Sequence, residues 1–229
     1  MTSLVNQNIA QDSVALRTIW SQVRADTCPY HYNFHLHTCY SDGQLKPKQL
    51  IEQAITLGLS GLAITDHHGV GGFYVAQNYL KTLRQNHPHL YLPQLWTGIE
   101  ITSDLMGAEV HILGYAFDPE NPGIKEYCTG HRPSLDECAA VKVIKAIKAA
   151  GGLAVLAHPA RYRSPARQLI PQAAESGIDG IEVYYAYGNP KPWFPSPTET
   201  EEVKQLTQEH NLLMTCGTDT HGINILQRS

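Results

Sequence analysis

The feature that most restricts this chain is an alternation. Short apolar runs at 32–36, 61–65, 93–100, 109–116, 153–157, 180–185 and 212–217 are mostly separated by amphipathic stretches at 47–58, 72–86, 134–150, 165–176 and 198–210. Runs such as GLAIT and GLAVLA are too short for helices and carry no alternating polar positions. They read as strands buried on both faces, the pattern of a parallel sheet covered by helices. Strand–helix alternation repeated about seven times predicts an α/β fold, either a (β/α) barrel or an open doubly wound sheet.

Local signals support the helices. Ser134 with Glu137 and Thr198 with Glu201 have capping-box spacing. Pro47 suits a first helical position, and Gly58 and Gly151 suit C-terminal caps. Residues 4–24 read as an extra amphipathic helix packed outside the main fold. Two segments break the rhythm. LWTGIEITSDLMGAEVHILGY reads as two strands joined by a turn at 104–107. YAYGNPKPWFPSPTET reads as a surface loop near the mouth of a site. Its Tyr185, Tyr187 and Trp193, with Tyr184, either wall a base-stacking pocket or pack the loop.

A chain of 229 residues, 42% hydrophobic, suits one domain. We divide 1–229 into an N-terminal helical extension over 1–28 and the main body over 29–229. A net charge of −4 gives no general attraction to nucleic acid, so no stable nucleic-acid complex is expected. No apolar run is long enough to span a membrane, and the first residues lack the basic and apolar regions of a signal peptide. The five cysteines are scattered, with no CxxC pair. Free thiols in a reducing cytoplasm are the expectation.

The 12 histidines matter by where they fall. The first apolar run ends in His35-Leu-His37, the second in Thr65-Asp66-His67-His68, the third in Gly98-Ile99-Glu100. The fourth carries His111, the fifth ends in Ala157-His158-Pro159, the sixth carries Glu182, and the seventh leads to Asp219-Thr220-His221. Ligands bind where parallel strands end. A spacing of two places His35 and His37 on one face of their strand, and Asp219 and His221 share that spacing. Imidazole and carboxylate suit zinc, manganese or iron, and a cluster this large suggests two or three ions. Asp66 reads as a partner of a ligand rather than a ligand. Glu182 either reaches the metals or holds a ligating histidine. His68 either faces the pocket, as a substrate-binding candidate, or begins the next helix. His31, His87, His89, His131 and His210 read as loop or helix-end residues.

Six of these motifs, including Ser41-Asp42-Gly43 after the first histidine pair, run in order over residues 33 to 222. In this the chain resembles the PHP family, named for polymerase and histidinol phosphatase. The resemblance implies a distorted seven-stranded (β/α) barrel with up to three metal ions. By position, one metal takes His35, His37, Glu100 and Asp219, a second Glu100, His111 and His158, and a third Asp42, His67 and His221. The expected activity is metal-dependent hydrolysis of a phosphate ester, with Asp219 as a candidate acceptor of the water's proton. Arg161 and Arg163, just after His158, are candidates to grip the phosphate. The stretches FHLHTCYSDGQLKPKQLIEQA and GLAITDHH are similar to members acting on nucleotide bisphosphates or short oligonucleotides. Such members often carry a longer helical insertion between His111 and His158 than the single helix here, so a more open pocket is expected. A histidinol-phosphate-type phosphatase, a hydrolase of another bond and a non-catalytic metal-binding domain are the alternatives.

Overall fold

The computed structural model describes residues 9–229. The expected helix over 4–24 contracts to α1 (Ser13–Trp20), and its first residues lie outside the described ones. The side chain of Asp12 caps α1 by accepting from the Ala15 N–H at 2.9 Å. Helix α1 does not stand outside the fold. Leu16 and Trp20 are buried, and the Trp20 ring meets Phe34 and Tyr115 edge-on at 5.8 and 5.0 Å.

Eight strands and six helices occupy the described chain and alternate except at β3, β4 and β5, which follow one another directly. β1 (Tyr32–Asn33), β2 (Gly61–Ala63) and β3 (Gln94–Trp96) form a parallel sheet in that order, with α2 (Pro47–Leu57) and α3 (Gly71–Asn86) as crossovers. β4 (Gly98–Leu105), β5 (Ala108–Tyr115), β6 (Leu153–Leu156), β7 (Gly180–Tyr184) and β8 (Leu213–Cys216) form the second sheet. There β5 runs antiparallel to both neighbours, while β6, β7 and β8 are parallel through α5 (Ala166–Glu175) and α6 (Pro197–Glu209).

Helix boundaries follow local chemistry. α2 opens on Pro47 with the Lys46 N–H donating to Gln49 Oε1, and it stops where Gly58 takes φ 70°. α4 (Ala140–Ala149) begins five residues later than a cap at Ser134 implies, with Ala139 as its N-cap. Cys138 and Ala139 are held extended by pairing with Asp104 of β4, and Ser134 only closes a turn. At α6 the expected Thr198 cap is replaced by Ser196, whose hydroxyl instead accepts from the Tyr187 N–H.

The fold is α/β, and its eight strands fall into a three-stranded and a five-stranded sheet. Two sheets meet through single bridges, Leu36 with Thr220 and His67 with Glu100. β1 to β3 are only two or three residues long; the chain beyond β1 and β2 turns into loops that carry candidate ligands, and β3 passes after one residue into β4. The core is correspondingly two clusters. The larger surrounds Trp20, Phe34, Tyr115 and Phe117; the smaller, around Leu36, Leu50, Ile51 and Phe73, lies under α2 and α3. Trp193 is buried in the larger cluster, so it packs its loop and offers no open stacking face.

Cys28 and Cys216 form a disulfide, which corrects the expectation of five free thiols. Cys39, Cys128 and Cys138 are free. No helix among the described residues is long and apolar enough to cross a membrane.

Candidate metal centre

The loops that leave the strands carry the site. His35 and His37 follow β1 and are buried, while Leu36 between them points into the smaller apolar cluster. His67 follows β2, Glu100 lies early in β4, His158 follows β6, Glu182 lies in β7, and Asp219 and His221 follow β8. His111 arrives differently. Because β5 runs against its neighbours, its first half lies at the end of the sheet where the others finish. Glu100 pairs with Leu113 and His111 with Thr102, so the two side chains are diagonal neighbours on one face. Their atoms Oε1 and Nδ1 stand 2.6 Å apart.

Close packing fixes these positions. A Cβ at Gly217 would lie 2.2 Å from the Cβ of His35, so only glycine lets the chain leave β8 beside that histidine. His158 and Asp219 adopt positive φ angles of 28° and 54°, a region L-residues seldom enter and one that recurs at functional sites.

Four donor atoms converge at the buried centre. His35 Nε2 lies 3.2 Å from His37 Nε2, 3.1 Å from Glu100 Oε2 and 3.4 Å from Asp219 Oδ1. His37 Nε2 lies 2.9 Å from the same Glu100 oxygen and 3.2 Å from the same Asp219 oxygen. A tetrahedral ion with ligands at about 2.1 Å separates them by about 3.4 Å, so this donor set fits a first-row divalent cation. Two further sets share its members: His37, Asp42, His67 and His221; and His67, Glu100 and His111. His158 falls outside these sets but holds Nε2 3.4 Å from Glu100 Oε1. All nine sequence-derived ligand candidates therefore surround one centre, with His67 beside Glu100 and His111 where the family pairing had His158.

Supporting groups aim these ligands. Glu182 takes the Nδ1–H of His35 at 2.9 Å and the backbone N–H of His158 at 2.9 Å, so it orients two histidines rather than entering the centre. His221 donates Nδ1–H to the Asp219 carbonyl, which turns its Nε2 toward Asp42 Oδ2 at 3.1 Å. Asp66 accepts from the Thr38 N–H, the Thr38 hydroxyl and Ser41, and so braces the loop that carries Asp42.

The charges are strongly coupled. Burial by itself raises a carboxyl pKa, yet His35 and His111 hold Glu100 well below the usual range, and His35 and His37 do the same to Asp219. Burial pulls His37 down, but hydrogen bonds to Asp219 and Glu100 prevail and raise it to about 9. Burial dominates at His67, which falls to about 4.

A cavity of about 300 Å³ opens over the cluster, lined by Asp42, His67, His111, His158, Arg161, Tyr162, His221 and Arg228 among others. Arg161 Nη1 reaches Asp219 Oδ2 at 3.1 Å. Arg163 is exposed and does not line this cavity. His68 is turned to Thr102, 3.3 Å from its hydroxyl, and is also outside the lining. Tyr185 donates to Asp219 Oδ2 at 2.7 Å, and the Tyr187 hydroxyl accepts from the Ala160 N–H, so both tyrosines brace the site rather than stack a base. Sequence reasoning missed Tyr162, whose hydroxyl accepts from the His111 N–H at 2.8 Å; its place between Arg161 and Arg163 was the available signal. It also missed Arg228, whose Nε reaches Asp219 Oδ2 at 2.9 Å. No motif or periodicity points to that residue.

Comparison with known proteins identifies the family of the chain. The PHP domain family model matches residues 33–216. A 5'-3' exoribonuclease of Haemophilus influenzae is 29% identical over 144 residues, 57% of this chain and 49% of that protein. A 3',5'-nucleoside bisphosphate phosphatase of Chromobacterium violaceum is 32% identical over 92 residues, 40% of this chain and 30% of its own. The chain thus spans half or less of these two relatives. The solved structure of an amidohydrolase from Chromobacterium violaceum superposes with a TM-score of 0.67 at 20% identity, covering 84% of this chain and 88% of that one. With the family model matched over most of its length, the chain belongs to the PHP domain family.

Proposed function

We propose that this protein hydrolyses a phosphate ester, and in particular a phosphomonoester of a nucleotide or short oligonucleotide. The observation that carries the reading is the buried set of His35, His37, Glu100 and Asp219, whose donor atoms lie at the edge lengths of a divalent cation's coordination shell. We read the nine residues as ligands of two or three ions of manganese, zinc or iron, and 1–229 as one domain whose two sheets make a distorted barrel. Ions bound there supply Lewis acidity and lower the pKa of water.

The chain's own groups do the rest. Glu182 fixes the tautomer of His35 and leaves its Nε2 free to coordinate. Asp219 turns Oδ1 to the cluster, while Oδ2 receives Arg161, Tyr185 and Arg228. These three donors hold Oδ2 from behind while Oδ1 faces the cluster. We read Asp219 first as a ligand held in place from behind, with proton acceptance as the second reading. Arg161 stands at the cavity wall, where a phosphoryl group would lie.

The test is phosphate release from metal-free protein reloaded with manganese, zinc or iron. The panel holds nucleotide bisphosphates, short oligonucleotides, histidinol phosphate and simple phosphoesters. Metal-dependent release that disappears in His35→Ala supports the reading. Silence across the panel with metal bound overturns it.

A further inference from the structure

Residues 222–229 fold back onto the loop that carries Asp219 and His221. The Arg228 carbonyl accepts from the N–H groups of His221 and Gly222, and the Gln227 carbonyl accepts from the Thr220 hydroxyl. The Ile225 carbonyl takes the Asn33 amide and the Thr218 hydroxyl, tying the same segment to the strand that leads to His35. The side chain of Arg228 is thereby placed on the cavity wall by its own backbone.

Arg161 and Arg228 share one acceptor. Arg161 gives Nη1 and Arg228 gives Nε to Oδ2 of Asp219. Each guanidinium has five N–H donors in a fixed plane. Beyond those bonds, the Arg161 side chain donates to the Tyr185 hydroxyl at 3.4 Å, and Arg228 also hydrogen-bonds Tyr185; with five N–H donors each, both groups keep donors for the cavity. Two cations against one shared carboxylate oxygen leave a positive edge facing the imidazole and carboxylate cluster.

We propose that Arg228, delivered by the 222–229 segment, forms with Arg161 a two-guanidinium clamp that selects a terminal phosphoryl group over a phosphodiester. A terminal group has three unesterified oxygens and carries up to two negative charges near neutral pH. A diester has two such oxygens and one charge. The terminal group can fill the clamp and still present an oxygen to the cluster, whereas a diester filling the clamp has none left. Asp219 pre-orients both forks, so little side-chain freedom is lost on binding. The inference rests on the phosphoester reading, of which it names the selecting residue.

The experiment is calorimetric titration of the metal-reconstituted protein with inorganic phosphate and, separately, dimethyl phosphate, using the parent protein, Arg228→Ala and Arg228→Lys. Metal content is assayed in each. The expected result is a loss of phosphate affinity of about tenfold or more in Arg228→Ala, with dimethyl phosphate changed less than about threefold and metal retained. Arg228→Lys keeps the charge without the fork, falls between, and carries the test should the alanine variant not fold. Equal effects on both anions, no effect on either, or a loss that follows metal content overturns the clamp. Arg228-dependent phosphate binding without turnover of any ester would overturn the hydrolase reading and leave the clamp standing. Turnover with unchanged anion selectivity in the variants would do the reverse.

Discussion

At the residue scale the centre depends on groups that never enter it. Glu182 is buried and spends one oxygen on His35 and the other on the His158 backbone. In Glu182→Gln the size is kept but the charge is lost. Metal affinity is expected to fall about 10–100-fold, read by titration against a competing chelator, while the far-ultraviolet spectrum stays unchanged. Protons compete for the same ligands. His37 sits at about 9 in the folded metal-free chain, above its ordinary value. Its contribution to stability is therefore fully present below about pH 6.5 and is lost as pH climbs through about 9. A cation must displace that proton, so apparent metal affinity is expected to rise from pH 7 to 9, by up to about tenfold per unit for each proton released. A flat profile over that range would contradict it. The ligands were legible because their chemistry is unusual at strand ends. Arg228 was not, since an arginine in a short irregular segment has no periodicity and acts only through where the backbone returns.

At the element scale the strands and crossovers were visible as runs and spacings, and most helices begin and end within a few residues of their signals. What escaped was pairing. The β4–β5 hairpin was visible in its turn at 104–107, but the antiparallel pairing of β5 with β6 and the Asp104–Ala139 bridge leave no mark in local composition. The split into two sheets likewise depends on how far β1 and β2 extend before their loops begin. The exit from β8 is the tightest of these junctions. Gly217→Ala forces its new methyl group into His35, with Leu36 and Thr220 bridging just beyond. A destabilisation of about 1–3 kcal/mol in chemical denaturation is expected, together with weakened metal binding. An alanine variant with parent stability and parent metal affinity would show that the junction relaxes freely.

At the scale of the whole molecule, distant parts of the chain are joined at one seam. The Cys28–Cys216 disulfide closes a separation of 188 residues between the segment before β1 and the end of β8. By chain entropy such a link contributes up to about 5 kcal/mol. Cys28→Ser, or reduction, is expected to lower the thermal midpoint measurably in the metal-free protein; an unchanged midpoint would show that the seam holds without it. The sequence could not reveal this pairing, because neither cysteine lies in a spacing motif and they approach only once the two sheets face each other.

The same seam has a consequence in time. The ligand set runs from His35 to His221, so its first and last members are translated far apart. At about 5–20 residues per second, a ribosome finishes His35 roughly 10–40 s before His221. Throughout that interval the growing chain carries its early histidines with no Asp219 to complete their buried set. The centre is therefore assembled only after nearly the whole described chain has been made, and no shorter nascent form holds the complete ligand set.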